Sequence, residues 1–241
     1  RRRCIREGTR VGSFKQQGRR IDVRETGVHL RVVKGIAIVC DDMDRIAPRA
    51  GGRVRFCIPN LTERGGFAIQ LGEDDDLFRM ALAYVLTMRG IPQIYYGTEI
   101  LMSNPGVEDH GIIRSDFPGG WKGDRKNAFT GKGLSEREAR AQAFVKNLLN
   151  WRRDKTVIHT GQLTHFVPED GTYVYFRHDA DESVMVVLNK NAGETELGLS
   201  RFAERLEGFG TATDVISGDK LQLDSSITLP ARSVMVLELG K

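Results

Sequence analysis

Apolar and polar positions recur with two different periods along this chain, and the period changes near residue 155. Between residues 77 and 88 the apolar side chains recur at spacings of three and four, which is typical of an amphipathic helix. Four acidic residues, 73–76, precede this segment, and Gly90 follows it. Acidic side chains are favoured at the N-terminus of a helix, where the helix dipole is positive, and glycine is frequent just after the C-terminus. The pattern therefore predicts a helix start rather than a metal site, because a calcium loop alternates its oxygen ligands and contains glycine.

A short apolar run follows this helix after a tight connection. Ile91 to Tyr96 is rich in β-branched and aromatic residues and lies between two glycines, which predicts a buried strand. A helix followed directly by a strand is half of a βαβ repeat. From Gly97 to Gly133 the periodicity is lost, and we expect one long loop at the end of the strand. Loops of this length are usually functional or disordered, and large side chains argue against disorder here.

A second helix follows this loop. Ser135 and Glu138 have the spacing of a capping box, which predicts a helix from there to about Asp154. Trp151 lies on this helix with helical spacing, and we interpret it as a packing residue rather than a ligand contact.

Beyond residue 155 the pattern changes to period two. Short alternating segments separated by turn residues predict an antiparallel β-sandwich or Greek-key domain. The predicted strands are Val157–Ile158 and residues 162–167, 172–178, 183–189, 194–199, 213–216, 220–223 and 234–239.

The first 71 residues are less regular. Residues 28–39 are strand-like and lead into Asp41, Asp42 and Asp44, which places carboxylates directly after an apolar segment. Residues 47–66 contain several Gly and Pro and predict a loop or an insertion. The sequence thus predicts three segments: 1–71, with a strand near 28–45, then 72–155, and a β-domain over 156–241.

Charge is concentrated at the start of the chain. Residues 1–63 carry 15 Lys and Arg against 7 Asp and Glu, and the remaining residues carry 21 against 25. Clustered arginine is compatible with a polyanion, but no aromatic residues alternate with it as in single-strand binders. We therefore expect a solvated basic face and no nucleic-acid partner. An alternative is that part of this Arg-rich segment is translated from a reading frame other than the native one.

Composition narrows the class of protein. No stretch of eighteen apolar residues is present, and the basic start lacks an apolar segment behind it, so we expect neither a membrane partner nor a signal peptide, and localisation stays open. The three cysteines lack C-x-x-C spacing, which argues against a disulfide framework and a zinc site. We expect no metal and no cofactor.

Three motifs carry a resemblance to a known family. GIPQIYYGTE, residues 90–99, resembles the eighth barrel strand of the α-amylase family of glycoside hydrolases. DHGIIRSDFPGGW, residues 109–121, is similar to the neopullulanase and cyclomaltodextrinase branch, and LPARSV, residues 229–234, resembles the end of that family's β-domain. The resemblance covers about residues 72–241. It implies the C-terminal portion of a (β/α)₈ TIM barrel followed by an antiparallel β-sandwich domain, an α/β plus all-β fold.

The resemblance also implies a chemistry, the retaining hydrolysis of α-glucosidic bonds by a nucleophile, a general acid and a third carboxylate. Asp42 matches the third, a transition-state stabiliser, because residues 42–45 resemble the motif after the family's seventh strand, although Cys40 and Asp41 replace its Asn-His pair. Residues 1–38 match neither of the other two motifs. We therefore expect no turnover by this chain alone.

Five further residues are candidates for sugar binding. Aromatic faces suit sugar C–H surfaces, and charged or hydroxyl groups suit sugar hydroxyls. These candidates are Tyr96, His110, Arg114, Asp116 and Trp121. The alternative is a structural role, in which Arg114 pairs with Asp116 and Trp121 fastens the loop to the barrel.

Two hypotheses for function follow. The first is part of a glycoside hydrolase acting on starch-derived α-glucans such as pullulan, cyclodextrins and maltooligosaccharides, whose partners are the glucan and a missing N-terminal barrel portion. The second is a non-catalytic carbohydrate-binding or structural module.

Overall fold

The computed structural model describes residues 66–104, 111 and 114–241, together with the backbone of three short strands before them. Contacts divide the chain into two units, Arg1–Ala50 and Gly51–Lys241. In the first unit, β1 (Val32–Val33) and β2 (Ile36–Ala37) pair antiparallel, so these residues form two strands where the sequence predicted one. The remainder of the strand predicted near residues 28–45 lies outside the described residues.

The second unit begins with a strand–helix–strand arrangement. β3 (Arg55–Cys57) pairs in parallel with β4 (Ile91–Gln93), and α1 (Phe67–Gln70) and α2 (Asp75–Thr87) lie between them in sequence. Parallel strands need such a crossover connection. The position of α2 agrees with the prediction, because it begins within the acidic residues 73–76 and ends before Gly90. The loop predicted over residues 47–66 is wrong at β3, whose three residues gain backbone hydrogen bonds from pairing with β4.

β4 is shorter and more exposed than predicted. Its strand geometry ends at Gln93 rather than Tyr96, and Ile91 is 41% exposed. The prediction of a buried strand is therefore wrong. A parallel strand is buried by layers on both faces, and within the described part of the chain such layers do not enclose Ile91.

Two helices connect the long loop to the β-domain. α3 (Glu136–Arg153) begins at the predicted capping box, in which Ser135 and Glu138 bond reciprocally. α4 (Thr156–Thr160) replaces the strand predicted at Val157–Ile158. Both of these β-branched residues are fully buried, so tertiary packing outweighs their strand propensity.

The β-domain contains a large and a small antiparallel sheet. The large sheet has the strand order β10-β9-β12-β7-β6-β5, and the small sheet pairs β11 with β8. Their bounds are β5 Gln162–His165, β6 Thr172–His178, β7 Ser183–Asn189, β8 Thr195–Gly198, β9 Thr211–Asp214, β10 Lys220–Gln222, β11 Ser226–Leu229 and β12 Ser233–Gly240. A short helix, α5 (Ala203–Leu206), follows the 3₁₀ turn Ser200–Phe202 between β8 and β9.

The prediction of an antiparallel β-domain is confirmed, although several strand ends differ from the predicted bounds. β6 and β7 have the predicted bounds, whereas β9 ends at Asp214 instead of Ile216. Its carboxylate accepts hydrogen bonds from the amides of Ile216 and Ser217, which turns the chain there. β11 was not predicted, and a strand was expected where α4 lies.

Both faces of the large sheet are covered. On one face β6, β7 and β12 meet the small sheet in a core formed by Val174, Phe176, Met185, Val187, Leu197, Leu199, Phe202, Ala212, Ile227, Leu229, Met235 and Leu237. On the other face Tyr175 meets α2, with its ring 6.0 Å from that of Tyr84 and its hydroxyl 2.5 Å from Thr87 Oγ1. Val186 and Val236 lie on this helix-facing side, because both are in register with Tyr175 across the sheet. The described residues thus form a helical layer on an antiparallel β-domain, whereas a complete barrel is not shown by them.

Candidate functional site

The chain turns sharply at the C-terminal side of β4. The rings of Tyr95 and Tyr96 lie 4.6 Å apart at 38°, and a 3₁₀ turn over Thr98–Ile100 follows. Gly97 makes this turn with φ of 82°, and a Cβ there would collide with the Met102 side chain. The position therefore requires glycine, which sets the direction in which the long loop, residues 97–133, leaves the strand.

Three of the predicted site residues converge beyond this turn. The Tyr96 hydroxyl donates a hydrogen bond to the Ser115 carbonyl oxygen at 3.0 Å. Burial raises the pKa of Tyr96, as do Tyr95 and the Asp116 carboxylate, while Arg114 opposes them. Both charged residues are the chain neighbours of Ser115, so the hydrogen bond from Tyr96 brings them close to the phenol. The phenol, carboxylate and guanidinium together supply donors and acceptors suited to vicinal hydroxyl groups.

Arg114 and Asp116 are both exposed, and no ion pair joins them among the described residues. The alternative of a structural Arg114–Asp116 pair is thus not what the structure shows. Their hydrogen-bonding groups face solvent instead, where a polar ligand can reach them.

Trp121 is the most distant of the described candidates along the loop, and 67% of it is exposed. The amides of Gly119 and Trp121 both donate to Asp124 Oδ2, at 2.7 and 3.1 Å. These bonds fix the backbone around Trp121 while leaving the indole open to solvent. The alternative in which Trp121 fastens the loop by burial does not match this exposure.

Other residues fasten the loop. Lys126 forms an ion pair with Glu138 at 2.7 Å, and Gln142 donates to the Ala128 carbonyl oxygen at 2.8 Å. The Ala128 amide donates to Pro118, and its side chain is buried. The loop is therefore held against the first turns of α3 by polar contacts, without burial of Trp121.

Comparison with known proteins finds a family match in the β-domain that follows this loop and α3. Residues 163–238 match the family described as "Cyclo-malto-dextrinase C-terminal domain". Neopullulanase 2 of Thermoactinomyces vulgaris is 30% identical over 185 residues, which cover 75% of this chain and 28% of the relative. The chain matches a C-terminal fragment of the α-amylase family.

A further curated relative and a solved structure are also similar to this chain. Cyclomaltodextrin glucanotransferase of Geobacillus stearothermophilus is 25% identical over 177 residues, covering 70% of this chain and 22% of the relative. An α-amylase from Geobacillus thermoleovorans, solved in complex with acarbose, has the same fold over 78% of this chain and 39% of its own, with a TM-score of 0.60 and 19% identity. The chain thus spans less than a third of the length of the two curated relatives, at 28% and 22%.

The α-amylase resemblance nominated two residues that lie outside the described part of the chain, Asp42 and His110. Sequence reasoning also overlooked three aromatic residues near the site, Tyr95, Phe117 and Phe129. Phe117 and Phe129 contact each other with ring centroids 5.2 Å apart. The sequence feature that could have pointed to these residues is the density of aromatic residues in a loop that is otherwise rich in Gly and charged side chains.

The described residues contain neither a candidate metal site nor a candidate membrane-spanning helix. No group of three or more His, Cys, Asp or Glu side chains in that part of the chain is placed to bind a metal ion. A search of the same residues also finds no helix with the length and apolar character needed to cross a membrane.

Proposed function

We propose that this chain is part of a retaining glycoside hydrolase that acts on α-glucosidic bonds of starch-derived glucans. In this proposal the segment from β3 to α3 is the last part of a (β/α)₈ barrel, and residues 156–241 are the β-domain that follows it. The parallel pairing of β3 with β4 around α2 supports the proposal, because this is the repeating unit of such a barrel.

One observation carries the assignment of a sugar site. Tyr96, Arg114 and Asp116 come together directly after the C-terminal end of a parallel strand, and the exposed Trp121 lies on the same loop. Barrel enzymes place their sites at this end of the strands. An exposed indole and hydroxyl-binding groups on one loop suit a glucose unit, which has an apolar face and a polar edge.

The proposed mechanism assigns different steps to different parts of the whole enzyme. One carboxylic acid protonates the leaving oxygen, and a carboxylate on the opposite side of the sugar forms a covalent ester that water later hydrolyses. Asp42 would act as the third carboxylate, which bonds sugar hydroxyls in the transition state. The long loop would position the glucan, so we expect this chain to bind sugar without cleaving it.

Tryptophan fluorescence tests the sugar site. The chain has two tryptophans, so a Trp151→Phe variant leaves Trp121 as the single indole reporter. We expect maltotriose to change its emission and β-linked cellotriose to leave it unchanged. Asp116→Asn and Arg114→Met should each weaken binding about tenfold, the equivalent of a lost hydrogen bond of about 1.4 kcal/mol. An emission that ignores maltotriose would contradict the proposed site.

A second assay separates binding from catalysis. Incubation of the chain with pullulan or β-cyclodextrin should release no reducing sugar, because the nucleophile and acid motifs are not recognised in it. Sugar binding without turnover also fits the alternative, a non-catalytic carbohydrate-binding module. The loop residues alone are compatible with this alternative, because they can bind a sugar but include no identified nucleophile or general acid. Sequencing the DNA upstream of this coding segment distinguishes the hydrolase from the non-catalytic module. A hydrolase requires upstream strand motifs that carry the nucleophile and the general acid.

A further inference from the structure

A second aromatic side chain on the long loop is more exposed than Trp121. Phe129 is 73% exposed, the highest value among the large hydrophobic residues that the structure describes. The three aromatic residues in that group are Tyr96, Trp121 and Phe129, and all belong to the long loop or directly precede it. One exposed apolar residue needs no explanation, but three aromatic ones in a single segment suggest a shared use.

The exposure of Phe129 is fixed by its neighbours. Its ring contacts Phe117 at 5.2 Å and 62°, an edge-to-face arrangement that leaves ring surface open to solvent. The preceding residue, Ala128, is buried and bonded through both its amide and its carbonyl. The following residue, Thr130, donates its amide to Asn127 Oδ1 at 3.0 Å. Phe129 is thus held outward by a bonded backbone on both sides.

Phe129 and Trp121 form two separate apolar positions. The Phe129 ring pairs with Phe117, whereas no ring contact involves Trp121 among the described residues. The same hydrogen-bonded segment connects them, because Ala128 bonds to Pro118, three residues before Trp121. A ligand that touches both positions must therefore span two rings that do not contact each other.

The surroundings of Phe129 favour a carbohydrate over a protein partner. Charged and hydroxyl side chains flank it and are exposed: Lys122, Asp124, Arg125, Thr130 and Lys132. The cores of protein interfaces are depleted of Lys and Asp, whereas sugars use such groups for their hydroxyls and an aromatic face for their C–H surface.

We propose that Phe129, supported by Phe117, is a second stacking position for an α-1,4-glucan that is already engaged at Trp121. This inference rests on the proposed function and adds a preference for longer glucans. The long loop then binds a chain of glucose units at two points, and its affinity rises when the ligand is long enough to reach both.

The test compares ligand length. Calorimetric titration of the full chain with maltotriose and maltoheptaose should give about tenfold tighter binding of the longer sugar, the equivalent of one aromatic contact of about 1.4 kcal/mol. Phe129→Ala should remove that tenfold difference and leave maltotriose affinity unchanged. Phe129→Tyr, which keeps the ring, should retain the difference. Val167→Ala is the control, because Val167 is another exposed apolar residue but lies outside the long loop, on the β5–β6 connection.

The outcomes separate this inference from the proposed function. If neither sugar binds, both fail. If maltotriose binds but the longer sugar gains nothing, or Phe129→Ala leaves the gain intact, the second stacking position is wrong and the proposed function stands. If sedimentation shows a dimer that Phe129→Ala dissociates, the patch binds a second copy of the chain and the inference is likewise overturned. Circular dichroism of each variant confirms that it is folded before it is titrated.

Discussion

Arg177 is a fully buried cation whose hydrogen-bond partners are carbonyl oxygens. Its guanidinium donates to Thr87 at 3.1 Å, Gly161 at 2.8 Å and Gln162 at 3.3 Å. Burial lowers its pKa to about 10, which leaves it charged at neutral pH. Thr87 ends α2 and Gly161 follows α4, so the negative ends of two helix dipoles meet one positive charge.

Replacing this guanidinium should strongly destabilise the protein. Arg177→Met leaves three carbonyl oxygens without their donor, and we expect the free energy of unfolding to fall by roughly 3 kcal/mol or more. Urea denaturation followed by circular dichroism measures the change. Arg153→Met is the control, because Arg153 is exposed and pairs with Asp154, and it should shift stability by less than about 0.5 kcal/mol. Equal midpoints for the two variants would contradict the assigned role.

His178 couples stability to pH. Arg205 donates toward His178 Nε2 at 3.3 Å, and Thr164 Oγ1 lies 2.9 Å from the same nitrogen. Burial lowers the pKa of His178, as do the nearby Arg205 and Arg177, while Asp179 opposes them. The fold therefore holds this imidazole neutral with Nε2 as an acceptor.

Acidification should therefore weaken the fold through His178. The unfolded chain binds this proton near the ordinary pKa of about 6.5, whereas the folded chain binds it only at lower pH. The contribution is complete above pH 6.5 and is lost as the pH falls through the lowered pKa, with a slope of at most about 1.4 kcal/mol per pH unit. Unfolding free energies of the wild type and His178→Gln between pH 7.5 and 5 measure it. The variant should show a shallower decline, and parallel curves would exclude His178 as the cause.

At the scale of elements, α2 is fastened to the β-domain at both ends. At its start, Asp74 caps the helix by accepting from the Asp76 and Leu77 amides, and it also pairs with Arg232 before β12. At its end, Arg177 and Tyr175 hold Thr87. Because α2 leads directly into β4, these contacts of the β-domain also position the strand that precedes the candidate sugar site.

Two substitutions separate the roles of Asp74. Asp74→Ala removes the cap and the ion pair, and we expect a loss of about 1–2 kcal/mol in unfolding free energy. Asp74→Asn keeps a capping oxygen and loses the charge, so its cost should stay below about 1 kcal/mol. Thermal denaturation of the two variants provides the comparison. If Asn is as damaging as Ala, the ion pair with Arg232 rather than the cap dominates.

At the scale of the whole molecule, the helical layer and the β-domain share one interface. Trp151 on α3 donates to Glu238 Oε1 on β12 at 2.8 Å. Within the helical layer, Arg152 donates to the Leu86 carbonyl oxygen at 2.8 Å and joins α3 to α2. Lys155 lies between Glu182 and Glu238, at 3.1 and 2.5 Å. The large sheet needs this layer because its helix-facing side carries apolar residues such as Val186 and Val236 together with the buried Arg177, whose guanidinium bonds to α2.

The two parts should therefore unfold together. In a Trp121→Phe variant, Trp151 is the remaining indole and reports on the interface between α3 and β12. Its fluorescence and the far-ultraviolet circular dichroism should show one transition with the same urea midpoint. Separate midpoints would mean that the helical layer detaches before the β-domain unfolds.

The sequence predicted the elements whose signals are local. α2 and α3 have periodic apolar positions and explicit caps at Asp74 and Ser135, and β6 and β7 alternate cleanly between turns. It failed at Val157–Ile158 and at β11, where short segments carry little pattern and packing decides. It also nominated Tyr96, Arg114, Asp116 and Trp121 individually, whereas the only signal for Phe129 was the density of aromatic residues in the loop.

The sequence by itself determined the order of the elements and the residues able to bind sugar, because helix periodicity, caps and turn residues act over a few positions. The tertiary structure decided which of those residues meet. After Gly97 turns the chain, the Tyr96 hydroxyl bonds to the Ser115 carbonyl oxygen, next to Asp116. Phe129 faces solvent while Gln142 holds the Ala128 carbonyl oxygen and Glu138 pairs with the Lys126 side chain. Such contacts join residues that are distant in sequence, so no local pattern can reveal them.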